Sequence, residues 1–408
     1  MASPTAPNLL ETSGLPLAYA VAEDEDGTPV PALLEGYDVG VTTTVRSLSV
    51  MQKEAVVASS ESPVVWRLSS DEGPYLQGHD FAPAPLAFMT VGMVADLMEN
   101  IERSLESSSQ PKSPLRLVLD NRFTMEGSLR RGTMVGGSLA PEITIEMPVS
   151  DRSSVTGAVM TGIAASATSG LLGPSHESLF SLTSDGARIP VGRVAELGHE
   201  ATPGTGGTAL QPAEASSGQN EPLIVKVMDV GERSPDAGAS LQDEQHRGLH
   251  LRAECERRSD GIKVIDVHLF KPNGSTFRFL SDESEGRGGK GRAPDALTYL
   301  SAGLGFCFMT QIGRYAKIIG RSLGDYHIVQ ETRFSEGRPR AEPPLGGRAA
   351  APRTHVHLNP DGDDDFARTA LDMSEQTCFL HALCRTPLRP RLKIVDMSAP
   401  RGSPTGRR

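Results

Sequence analysis

The chain has 408 residues, 38% of them hydrophobic and 22% charged, enough apolar material to bury real cores. Its formal net charge of −11 argues against binding nucleic acid through a general basic surface. No run reaches the roughly 18 apolar residues of a membrane span, and four cysteines are too few for a disulfide framework, so a reducing, cytoplasmic setting is expected.

Residues 1–35 are rich in Pro, Ala and acids and read as a loose lead-in, with no basic-then-apolar pattern of a secretory signal. A first folded unit is expected over 36–197. Residues 198–249 read as a linker: EATPGTGGTALQPAEASSGQNEP is too poor in apolar side chains to order itself. Within that span LIVKVMDVG (223–231) predicts one extra strand, and RSPDAGASLQDEQHRG a loop. A second unit is expected over 250–397, followed by a basic tail, 398–408.

In the second unit, IKVIDVHLF (262–270) and TFRFLSD (276–282) alternate with period two and predict strands. The segment 294–320 predicts a helix. Leu297, Leu300, Leu304, Phe308, Ile312 and Tyr315 recur at steps of three and four, one apolar stripe, and Asp295 after Pro294 suits its start. Strands follow at 326–334 and 353–358, then a helical region at 363–383 and a closing strand at 389–397. Strands, helix, strands, helix, strand describe an α+β unit with helices packed on an antiparallel sheet.

The two units repeat each other. Residues 67–172 fall on 278–383 without a gap, at a constant offset of 211 residues. Arg67, Ser70, Asp71 and Glu72 meet Arg278, Ser281, Asp282 and Glu283; Leu86, Gly92 and Met98 meet Leu297, Gly303 and Met309. A period this long is a duplicated domain rather than a solenoid. The breaks in the match are informative, since Cys307 stands opposite Asp96 and Cys378 opposite Ala167. Thiol chemistry is thereby confined to the second copy.

Cys307 shares the apolar stripe of its helix, where a cysteine is ordinarily a small core residue. Cys378 opens the CFLHALC segment; Ser374 or Thr377 could cap a fresh helix there, and a helix start lowers a thiol pKa. Together, one cysteine in each helix suits a dithiol that attacks and then resolves. The segment ALTYLSAGLGFCFM resembles the first-cysteine helix of the OsmC/Ohr family of osmotically inducible and organic hydroperoxide resistance proteins. SEQTCFLHALCRTPLRPRLKI resembles that family's second-cysteine signature, and the element order is similar across both copies.

The resemblance implies a tandem OsmC-like protein with a cysteine-less first copy, packed as a pseudo-dimer within one chain, with further oligomers open. It implies that Cys307 attacks a hydroperoxide and that Cys378 resolves the product, with a dithiol or protein thiol as reductant and no cofactor. It places the activating cation on a hairpin arginine, Arg257 or Arg258. The family's supporting glutamate falls nearest Thr298, with Asp295 the closest acid. The apolar helix favours an organic hydroperoxide over hydrogen peroxide. The alternative is a non-catalytic ligand-binding or redox-sensing protein. Neither reading involves nucleic acid or membrane.

Cys384 reads as packing, and Cys255 as a structural residue or a second resolving thiol. His355 and His357 share a strand face, a pair without a third metal ligand at diagnostic spacing. The GGSL near Gly136 and GGRA near Gly346 predict hairpin turns, and the GLGF at 303–306 lies inside a helix rather than in a phosphate loop.

Overall fold

The computed structural model describes residues 7–21, 30–49, 51–108, 113–198, 221–230, 238–338 and 345–398. The low-complexity stretch of the linker, the basic tail beyond residue 398 and much of the lead-in lie outside the described residues.

The first half contributes α1 (Leu9–Ser13), β1 (Ala18–Ala20), β2 (Val39–Ser47), β3 (Lys53–Ser59), β4 (Ser62–Ser70) and α2 (Pro85–Ser107). It continues with β5 (Arg116–Ser128), β6 (Val135–Ser138), β7 (Glu142–Met147), α3 (Arg152–Ala165), α4 (Ala167–Leu172), β8 (Leu179–Ser184), β9 (Ala187–Ile189) and β10 (Ala195–Glu196). The second half adds β11 (Ile224–Met228), β12 (Glu244–Arg257), β13 (Lys263–Lys271), β14 (Thr276–Ser281) and α5 (Ala296–Ile319). It ends with β15 (His327–Ser335), β16 (Arg348–Ala349), β17 (Arg353–Leu358), α6 (Asp364–Thr377), α7 (Phe379–Arg385) and β18 (Arg391–Asp396).

These elements make an α+β molecule of two sheets and seven α-helices among the described residues. One sheet runs β1-β4-β3-β2-β15-β17-β8-β10 and the other β11-β14-β13-β12-β5-β7-β18. Each sheet is therefore built from both halves. β2 pairs antiparallel with β15 (Val45 opposite Ile328), and β12 pairs antiparallel with β5 (Ala253 opposite Leu119). α5 lies against β2, β3 and β15, α2 lies against β12, β13 and β5, and the two long helices pack on each other between the sheets.

The crossing of α2 and α5 is close because of two glycines. A Cβ on Gly92 would lie 2.6 Å from Leu300 N, and one on Gly303 would lie 2.5 Å from Met89 N. Aromatic rings fill the space beside the crossing, with Phe88 and Phe306 centroids 5.0 Å apart and Phe88 edge-on to Phe279 at 5.4 Å. α5 starts where Asp295 accepts a hydrogen bond from Thr298 N at 2.7 Å, and stops at Gly320 with φ of 71°.

Four expectations change. The sheets are not wholly antiparallel: β8 runs parallel to β17, and β18 parallel to β7, because each closing strand crosses to the sheet that holds the other half's strand. Residues 244–249 are strand rather than loop, since the long β5 offers partners out to Ser128 opposite Glu244. Gly136 and Gly137 lie inside β6 rather than in a turn. The helical region at 363–383 is two helices, broken at Cys378, whose φ of −73° and ψ of 120° are extended.

Candidate functional site: a buried cysteine pair beside a charged cavity

The break between α6 and α7 aims the second cysteine at the first. Ser374 Oγ and Thr377 Oγ donate to the carbonyls of Ala370 and Met373, so neither caps the new helix; Cys378 itself is the cap residue of α7. Gly136 lets β6 approach this junction, where a Cβ would lie 2.6 Å from Thr377 O. The Sγ atoms of Cys378 and Cys307 then sit 3.5 Å apart, both buried. Both are free thiols.

The two sulfurs differ electrostatically. Burial and the adjacent Cys378 push the Cys307 thiol well above its usual range, against an N–H donated by Leu380. At Cys378 burial also opposes ionisation, but hydrogen bonding from Cys307 and the neighbouring His381 outweigh it and hold that thiol well below its usual range. Of the two, Cys378 is therefore the more readily ionised sulfur. His381 is fixed edge-on against Phe308, centroids 4.9 Å apart.

Cys307 opens onto a cavity of about 30 Å³ whose lining, drawn from both halves of the chain, does not include Cys378. The first half supplies Glu72, Tyr75 and Leu86, and the second supplies Arg247, Thr310, Gln311 and Arg314. Glu72 accepts hydrogen bonds from Tyr75 OH at 2.6 Å and Thr310 Oγ1 at 2.9 Å. Burial raises its pKa, opposed by the buried Lys53. Burial in turn lowers the pKa of Lys53, opposed by Glu72 and Asp71.

Of the residues singled out from sequence, the fold brings together Cys307 and Cys378. Arg257 instead binds Glu99 and Glu102, at 2.7 Å each, on α2. Arg258 binds Glu221 and Asp260 at the surface. Asp295 caps α5 twelve residues before Cys307, roughly 18 Å along the helix. The cations at the cavity are Arg247 and Arg314, neither of which the sequence reading selected. Arg314 was open to selection, because it stands seven residues after Cys307 and so shares its helix face.

The other cysteines, Cys255 and Cys384, are fully buried. Burial pushes the Cys255 thiol up to about 12, and Cys384 is raised in the same way. His355 is 2.8 Å from Ser181 Oγ, while His357 stacks on His327 with centroids 4.4 Å apart. No metal-competent cluster of three His, Cys, Asp or Glu occurs among the described residues. In the first half Asp96 takes the place of the thiol. It is fully buried and accepts hydrogen bonds from Thr168 N at 2.7 Å and Asn100 Nδ2 at 3.0 Å.

No family model matches the chain, and no curated protein matches it. Among solved structures, the chain is similar to an OsmC-like hydroperoxide resistance protein from Jannaschia sp. CCS1. Identity is 22% over 29% of this chain and 75% of that one, with a TM-score of 0.20.

Proposed function

We propose that the protein is a thiol-dependent reductase of organic hydroperoxides, built as two OsmC-like copies (36–197 and 250–397) of which the second is catalytic. The observation that carries this reading is the 3.5 Å separation of two buried, reduced sulfurs, one of them on a cavity. That separation suits a dithiol that closes to a disulfide with little backbone movement.

In the proposed cycle the Cys378 thiolate takes the proton of Cys307. The Cys307 thiolate attacks the terminal oxygen of the hydroperoxide and the O–O bond breaks. Cys307 becomes a sulfenic acid, and the departing alkoxide recovers the proton from Cys378 as the alcohol. The Cys378 thiolate then attacks the sulfenic sulfur and expels hydroxide, forming the disulfide. Two thiols of an external dithiol or protein reductant return the pair to its starting state by exchange.

The test is to add one equivalent of cumene hydroperoxide to the reduced protein and map its disulfides by peptide mass spectrometry. The expected product is a Cys307–Cys378 disulfide, reversed by dithiothreitol over repeated cycles. Cys307→Ser abolishes peroxide consumption, and Cys378→Ser, which removes both the base and the resolving sulfur, oxidises slowly and stops with Cys307 as a sulfenic acid that dimedone traps. Free thiols after many equivalents would remove the enzyme reading. A single modification without cycling would leave a redox sensor. Equal turnover of hydrogen peroxide would remove the preference for organic substrates.

A further inference from the structure

Arg314 is a guanidinium in the interior, 1% exposed, on the wall of the cavity that Cys307 also lines. Its hydrogen-bond partners are all neutral: Ser240 O at 2.7 Å, Gln311 Oε1 at 3.3 Å and Met134 Sδ at 3.3 Å. Among the described residues it has no ion-pair partner. The carboxylate that shares the cavity, Glu72, has one oxygen engaged by Tyr75 and the other by Thr310. A buried cation without a counter-charge is costly, and this one borders the cavity of Cys307. Burial and repulsion from Arg247 pull its pKa down to about 9.

We propose that Arg314 receives a carboxylate of the substrate, so that the protein acts on hydroperoxides that are also organic acids. This rests on the peroxidase reading above and adds the substrate class. Cys307 and Arg314 are seven residues apart on α5, roughly 10 Å along its axis, and the arginine side chain leans back toward the helix N-terminus. The hydroperoxide and the carboxylate therefore occupy opposite ends of one ligand. The cavity has a small neighbour. A second cavity, of about 10 Å³, shares Tyr75, Ala84 and Leu269 with the first and continues past Ala87, Val267 and Phe277.

The experiment compares cumene hydroperoxide with its para-carboxylate on the full chain, and measures calorimetric binding of unreactive 4-isopropylbenzoate. In the wild type the carboxylate form is expected to have a kcat/KM roughly tenfold to a hundredfold higher, the range of one charged hydrogen bond. Arg314→Gln narrows the acid's advantage over the neutral compound, read as the ratio of their kcat/KM values within that variant, to about twofold or less; Arg314→Lys restores part of the gap. The dissociation constant for 4-isopropylbenzoate rises at least about tenfold in Arg314→Gln by the same reasoning. Equal kcat/KM for both hydroperoxides in the wild type overturns the carboxylate site and leaves the peroxidase standing, whether or not the variant folds. Inert cysteines with Arg314-dependent benzoate binding overturn the peroxidase and keep the acid site. Inert cysteines without benzoate binding overturn both.

Discussion

At Cys378 a short sequence does three things at once. The residue ends α6, opens α7 and puts its sulfur 3.5 Å from Cys307. Burying two thiols would ordinarily silence both, because each resists ionisation in an apolar setting. The neighbours decide otherwise: His381 and the Cys307 thiol favour the anion on Cys378 by more than burial opposes it. A test follows from His381→Phe, which keeps an aromatic ring against Phe180 and Phe308. Without the imidazole the Cys378 pKa rises, so the thiolate needed to deprotonate Cys307 forms at higher pH. Stopped-flow oxidation by cumene hydroperoxide should show its acidic limb displaced upward by about one pH unit; an unmoved limb would clear His381 of any part. The sequence showed both cysteines and their order. It could not show their distance, which depends on a break in a helix that periodicity alone joins.

The long helices are where the elements are most exacting. Gly303 is inside α5, where alanine is ordinarily worth about 1 kcal/mol more than glycine. The Cβ it lacks would lie 2.5 Å from the backbone nitrogen of Met89, an atom that cannot step aside. Forcing the helices apart outweighs the propensity gain, and Gly303→Ala is expected to cost about 1–3 kcal/mol in urea unfolding. Gly157, in α3, has nothing within 4 Å of its missing Cβ, so Gly157→Ala should stabilise by about 1 kcal/mol in the same assay. Equal effects of the two would mean that the crossing is looser than drawn. Most elements were legible because their signals are local. β13, β17 and α5 fall within about two residues of the spans their alternation or apolar stripe predicts. What local pattern misses is pairing at a distance. The start of β12 at Glu244 comes from the reach of β5, a hundred residues away in sequence.

Across the whole molecule, the element bounds repeat at the offset read in the sequence: β7 at Glu142–Met147 and β17 at Arg353–Leu358, α2 from Pro85 and α5 from Ala296. The offset gave no hint of which strands would pair, because either copy's hairpin could in principle meet either copy's later strands. In the structure β2–β4 join the strands of the second half, and β12–β14 those of the first. That exchange is why Glu72, from the first half, reaches the cavity of Cys307 while Arg257 is drawn to Glu99 and Glu102 on α2. Neither half is complete alone. Residues 1–198 and 221–408 made separately should be insoluble, whereas the two co-expressed should purify together with the circular-dichroism spectrum of the intact chain. The rejoined pair should weaken on dilution, having lost the high local concentration that the connecting residues provide. A soluble, folded single half would contradict the exchanged sheets.

Asp96 shows what the frame does with its other centre. A carboxylate held by Thr168 N stands where the second half has a sulfur, and a hydroperoxide cannot oxidise it. Under the proposed chemistry each chain therefore stores a single pair of electrons inside an architecture with room for two. A symmetric pair of centres can influence each other's occupancy; this one has no twin within the chain, so its saturation curve is expected to be a plain hyperbola. On that reading the first half is a redox-silent wall, and the cell that makes this chain spends two folds on one reaction.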